Sequence, residues 1–172
     1  MHVTTVSAKL LEPVLQLARH FRQPSGQDLQ KQILEIAALP EQEFTKPGAR
    51  FPAARYPAVL ETLAVASNNP LIALNLGEAT QPRMLGSIGF LMSTAQTLEL
   101  AYQTLIDYLP LLFEGAVLQM EQTVEGTQLT LELNHNDPRA VEYFLACLIN
   151  WPRWLTGHQV PAHAVHLTLP EP

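Results

Sequence analysis

Two stretches that alternate in polarity, "AVLQMEQTV" and "TQLTLEL", flank the dipeptide Glu125-Gly126. A period of two sends successive side chains to opposite faces, so each stretch reads as a strand with one apolar face. A two-residue glycine-containing break between them is the signature of a β-hairpin. A turn at Glu125-Gly126 pairs Val124 with Thr127, Leu118 with Leu133, Met120 with Leu131 and Gln122 with Leu129. Glu121, Thr123, Thr130 and Glu132 then share the polar face. Elsewhere the apolar residues mostly repeat at helical spacing. One hairpin among many helices places the chain in the α+β class: a helical N-terminal part, then a small antiparallel sheet packed on two long helices.

The helices are bounded by local signals. Residues 6–21 carry an apolar stripe of Leu10, Leu11, Val14, Leu17, Ala18 and Phe21, with Ser7 as N-cap and Pro13 near the start. "PSGQDLQKQILEIAAL" predicts a second helix buried through Leu29, Ile33, Ile36 and Ala37, and "EQEFTKPGARFP" a connector. "AARYPAVLETLAVAS" predicts a third helix. A short fourth runs from Pro70 to Gly77. A long helix over 94–109 has Ser93 and Gln96 as a capping box and buries Leu98, Tyr102, Leu105 and Leu109. The last helix spans 137–156, capped by Asn136 or Asp137, opened by Pro138, kinked at Pro152 and closed by Gly157. Its buried face is Val141, Phe144, Leu145, Leu148 and Leu155. "HAVHLTL", residues 163–169, alternates like a final strand.

Composition narrows the function. Hydrophobic residues make up 47% of the 172 and charged residues 15%, the balance of a single packed domain over 1–172 rather than a disordered chain. The net charge is −6, and the ten Lys and Arg residues are scattered. A surface that grips nucleic acid needs them clustered, so this chain is not expected to hold DNA by itself. The only cysteine, Cys147, excludes an internal disulfide and fits a reducing cytoplasm. No run of 18 apolar residues is present, and the N-terminus lacks the apolar core of a signal peptide.

Chemistry-bearing motifs are missing. Gly86 and Gly89, in "MLGSIGFLMS", could begin a phosphate loop, but Phe90 and Leu91 stand where such a loop needs Lys and Ser or Thr. Close approach of two backbones is the better reading of both glycines. His158, His163 and His166 lie close together, yet 163 and 166 fall on opposite faces of a strand and no Cys or acidic ligand accompanies them. No metal site and no cofactor is expected. Cys147 sits inside a helix as a small hydrophobe. No G-x-S-x-G elbow, H-E-x-x-H or carboxylate pair occurs, so no catalytic residue is assigned and an enzyme is not expected. Met84, Phe90, Met92, Tyr102, Met120, Phe144, Trp151 and Trp154 flank the hairpin and the long helices, and they are the candidate lining of an apolar small-molecule pocket.

The run "LNLGEA", followed by "LGSIGFLMSTAQTLELA", a hairpin, a helix and a late strand, resembles the ligand-binding N-terminal domain of one branch of AraC/XylS-type transcription regulators, the arabinose-binding-like branch. The matching positions are Gly86, Gly89, Phe90, Ser93, Thr97, Leu98 and Ala101, with "RFP" at 50–52 upstream. The resemblance implies an effector-sensing, dimerising domain of a bacterial regulator that reaches DNA through a C-terminal pair of helix-turn-helix motifs. Nothing after Trp154 reads as such a motif, and residues 158–172 are too few to hold one, so the chain is expected to be the regulatory part alone. The alternative is a protein-interaction or dimerisation module that takes no small ligand.

Overall fold

The computed structural model describes residues 3–21, 28–133 and 137–167. Its frame is a helix crossing. Helix α4 (Tyr56–Ser67) is buried through Tyr56, Val59, Leu60, Leu63 and Ala64 and lies at the centre of the core. Beside it, α5 (Ile72–Ala79) packs along α8 (Pro138–Thr156), and this is the most extensive helix–helix contact in the structure. Gly77 makes it so. A Cβ at that position would stand 2.7 Å from the Ala146 Cβ and closer still to the Tyr143 carbonyl oxygen. Only glycine lets the two backbones approach this far. Gly77 therefore lies inside α5 as a contact residue and does not terminate the helix. The helix starts at Ile72, two residues beyond Pro70, after a turn in which the Asn69 side chain accepts from the Leu71 N–H at 3.0 Å.

The glycines of "LGSIGF" divide their work. Gly86 has φ +64° and ψ −131°, a backbone conformation that side chains oppose, and it joins the 3₁₀ turn Pro82–Leu85 to α6 (Ser87–Thr94). Gly89 meets that turn directly: a Cβ there would overlap the Pro82 carbonyl. Both glycines are architectural. Ser93 lies within α6 and donates to the Gly89 carbonyl at 2.8 Å, so it forms no capping box with Gln96. Thr97 caps the following helix instead, accepting from Leu100 N–H at 3.2 Å. That helix, α7 (Leu98–Leu112), buries Ala101, Tyr102, Leu105, Leu109 and Leu112.

The expected N-terminal helix is shorter than its pattern. Strand β1 (Thr5–Ser7) precedes a 3₁₀ turn, Ala8–Leu10, which Ser7 caps at 3.3 Å from Lys9 N. Helix α1 then covers Leu11–Ala18, a start that keeps Pro13 in the first turn where its missing N–H costs nothing. Helix α2 (Leu29–Ile36) is capped by Asp28, and the preceding 22–27 lie outside the described residues. The expected connector holds a short helix, α3 (Glu41–Phe44), and strand β2 (Arg50–Pro52). β2 pairs antiparallel with β1, Val6 opposite Phe51. Arg50 locks the pair to the end of α7: its guanidinium donates to Thr5 Oγ1 at 2.6 Å and to the Leu111 carbonyl, and lies 3.7 Å from Glu114. A cation at a helix C-terminus meets the negative end of the helix dipole.

The hairpin forms with its register two residues away from the expected one. β3 (Ala116–Thr123) and β4 (Gly126–Leu133) pair Leu118 with Leu131, Met120 with Leu129 and Ala116 with Leu133, around a turn at Val124-Glu125. The Thr123 hydroxyl donates to the Gly126 carbonyl at 2.9 Å and accepts from Glu125 N–H, and Gly126 takes φ +138° as the first residue of β4. A slip of two keeps every side chain on its face, so the apolar set still points inward. Helix α8 matches its signals: Asp137 accepts from Arg139 and Ala140 N–H, Pro138 opens it and Gly157 closes it at φ +74°. The other cap candidate, Asn136, lies outside the described residues. The buried face of α8 includes Phe144 as expected, but extends to Ala140, Tyr143, Ala146 and Cys147, because that side meets Gly77, while Val141, Leu145, Leu148 and Leu155 are half-buried. Residues 163–167 form no strand and are exposed, since no neighbouring strand edge pairs with them; 168–172 lie outside the described residues. The fold is α+β, with two two-stranded antiparallel sheets among the described residues. Among the described residues no helix is long and apolar enough to cross a membrane.

Adding a methyl group at either close contact overfills a packed joint. Gly77→Ala and Gly89→Ala are each expected to cost about 3 kcal/mol or more in urea unfolding. Gly48→Ala, in open space at φ +75°, should cost about 1 kcal/mol from backbone strain alone.

Candidate functional site

Three elements enclose a crevice. Along α7, Leu105, Leu109 and Leu112 recur at i, i+4, i+7, one helical stripe. On α8, Phe144, Cys147, Leu148 and Trp151 recur at i, i+3, i+4, i+7 and face them. The cross-strand pair Leu118 and Leu131 covers the gap from the hairpin. Leu10 and Leu85, from the 3₁₀ turns Ala8–Leu10 and Pro82–Leu85, and Tyr143 complete the lining. The empty space amounts to about 360 Å³, part of it open to solvent, and the free room at its centre is the size of one water.

Behind the apolar wall lies a small polar cluster centred on Thr80, which is fully buried. Thr80 follows α5 directly, and its hydroxyl donates to the Leu76 carbonyl at 2.7 Å. Trp151 Nε1 donates to the Thr80 carbonyl at 2.8 Å, and the Tyr143 hydroxyl reaches Thr80 Oγ1 at a long 3.4 Å. Burial raises the pKa of Tyr143 well above its ordinary value, aided by Cys147 and Tyr56 beside it. Burial also pushes the Cys147 thiol up, the direction opposite to that of a reactive thiolate. Tyr56 stacks edge-on against Tyr143 and Phe113, with ring centroids 6.1 Å apart in each case. Its hydroxyl, raised in pKa mainly by burial, lies close enough to Tyr143 to be influenced by it but forms no hydrogen bond of proper geometry.

Pro152 explains one more bond. Lacking an N–H, it cannot satisfy the carbonyl of Leu148, one turn earlier in α8. The Tyr102 hydroxyl of α7 donates to that carbonyl instead. At the proline where the sequence predicts a kink, α8 runs on, and the freed carbonyl becomes a cross-brace between the two helices that flank the crevice. Burial raises the Tyr102 pKa, with a smaller contribution from Cys147.

The eight candidate residues part company. Phe144 and Trp151 line the crevice, and Tyr102 adjoins it through Leu148. Met120 is half-buried on the face of Leu118, one pair further along the hairpin. Met92 is buried on the inner side of α6. Met84 sits in the turn before α6, where its sulfur accepts from Gln81 N–H at 3.4 Å. Phe90 is 66% exposed and Trp154 48% exposed, and neither lines the crevice. Most of the wall is leucine, which aromatic and methionine counting passes over; the helical spacing of 105, 109 and 112 was the available signal. His158, His163 and His166 are all exposed. No group of three or more His, Cys, Asp or Glu among the described residues is placed to hold a metal ion.

A family model described as the arabinose-binding domain of AraC transcription regulator, N-term, matches residues 27–172. No curated protein matches the chain.

Removing the brace leaves a buried carbonyl without a donor. Tyr102→Phe should lower stability by about 1–2 kcal/mol in denaturant titration. Pro152→Ala restores an N–H within reach of the Leu148 carbonyl, so the double variant should recover much of that loss in a double-mutant cycle.

Proposed function

Since the chain belongs to the family of N-terminal arabinose-binding domains of AraC transcription regulators, a family of regulatory ligand-binding domains and not of enzymes, we propose that it senses a small-molecule effector and passes that state to a DNA-binding domain. The observation that carries this reading is the apolar crevice between α7, α8 and the hairpin. It is concave, formed by several elements, and free of carboxylate, imidazole or ammonium groups that would serve acid–base chemistry. The scattered basic residues and net charge of −6 support a division of labour in which DNA is held elsewhere. In this reading the chain is one regulatory domain of a cytoplasmic bacterial regulator, acting as a homodimer, and contact with DNA runs through helix-turn-helix motifs outside residues 1–172.

The mechanism is population shift. The crevice as it stands is nearly closed, and a ligand that binds only an opened arrangement displaces the equilibrium by its difference in affinity for the two states. The hairpin is the natural mobile wall. Its outer half, beyond Met120 and Leu129, is exposed on both faces. A second reading, a protein-docking module without a ligand, draws on Phe90 and Leu91, which α6 leaves exposed.

Thermal-shift screening against sugars, amino acids, carboxylic acids and small aromatics separates the two. A sensor should show one compound class that raises the melting temperature by several degrees, as expected when free ligand exceeds Kd by about 100-fold. A folded protein that ignores the whole panel, and sediments as a tight dimer, contradicts sensing.

A further inference from the structure

We infer that the effector of this crevice is a compact apolar molecule, with at most one hydrogen-bonding group, and not a sugar; the inference rests on the sensor reading above. The lining carries the argument. Leucines from α7, α8, the hairpin and two 3₁₀ turns form most of it, and the remaining side chains are Phe144, Trp151, Tyr143 and Cys147. The two strongest polar atoms among these are already turned inward: Trp151 Nε1 donates to the Thr80 carbonyl and the Tyr143 hydroxyl leans on Thr80 Oγ1. The Cys147 thiol is buried within the same cluster and is a weak donor. The Leu148 carbonyl, the one acceptor that Pro152 frees beside the crevice, is taken by Tyr102.

A sugar presents a hydroxyl on nearly every carbon. Each would leave water and find no partner here, and an unpaired buried hydroxyl weighs against binding. An apolar body suffers no such loss and gains by leaving water. The single group the site can meet is set by the Tyr143 hydroxyl, whose 3.4 Å bond to Thr80 is long enough to be exchanged for a better one. The sugar in the family's description therefore does not match the chemistry of this chain's crevice.

The test uses the whole chain with leucine methyls labelled with carbon-13, titrated separately with indole, n-octanol and L-arabinose and followed by NMR. Saturable shifts of the Leu118, Leu131 and Leu148 methyls with indole or octanol, intermolecular NOEs to the same methyls, and silence with L-arabinose are expected. Leu131→Trp, which fills the space from the half-exposed hairpin side, should weaken the apolar probe at least ten-fold; if that variant does not fold, the NOEs on the unaltered chain decide. L-arabinose acting on these methyls, with or without the apolar probes, overturns the ligand class and leaves the sensor reading standing. All three probes silent at these methyls while another compound stabilises the protein overturns the assignment of the crevice. All three silent, together with an unresponsive metabolite panel, removes the sensor reading and this inference with it.

Discussion

The contact at Gly77 is where the structure is anchored. Two helices distant in sequence, α5 and α8, touch backbone to backbone there, and a side chain of any size would force them apart. Close approach multiplies short-range contacts, each small by itself, into a large total. It also fixes the axial position of α8. Thr80, three residues after Gly77, then meets Trp151 and Tyr143 of α8, so one glycine sets the geometry of the buried polar cluster as well.

Helix α8 consequently serves two environments. One side, Ala140, Tyr143, Ala146 and Cys147, is small or polar enough to lie against α5. The adjoining side, Phe144, Leu148 and Trp151, is bulky and apolar and forms the crevice together with the edges of Tyr143 and Cys147. Among the described residues, every buried side-chain N and O atom but the Tyr56 hydroxyl has a hydrogen-bond partner, so the first side is tightly packed and almost fully satisfied. The second faces a two-stranded hairpin whose outward side is exposed along its length. The proposed population shift would use this contrast, with the α5–α8 contact as frame and the hairpin as the wall that moves.

Much of this was legible in the chain, where the signal is local. Asp137, Pro138 and Gly157 bracket α8 because caps act on neighbouring backbone groups, and the hairpin's faces follow from alternation alone. The reading of Gly86 and Gly89 as joints rather than a phosphate loop follows from the residues that come next. What stayed hidden depends on distant partners. β1 and β2 are three residues each and 45 apart, too short for a periodic signal. The hairpin register turned on the Thr123 hydroxyl, which glycine-based turn rules ignore. On α8 the apolar pattern marks Phe144, which is buried, and Val141, Leu148 and Leu155, which pack against the core, but not Tyr143, Ala146 and Cys147, because nothing in its own sequence announces Gly77. Alternation at 163–167 did not make a strand, since a strand needs an edge to join. Of the crevice itself, the aromatic members Phe144 and Trp151 stood out in sequence, while its leucines were indistinguishable from ordinary core.

Native-state amide hydrogen exchange in increasing denaturant decides whether a rigid α5–α8 frame carries a yielding hairpin wall. Amides of α5 and of α8 around Tyr143–Cys147 are expected to exchange only through global unfolding, while those of the outer hairpin exchange through local opening of much lower free energy. Exchange of the α5 and α8 amides at hairpin-like rates, or a hairpin as protected as the frame, would contradict it.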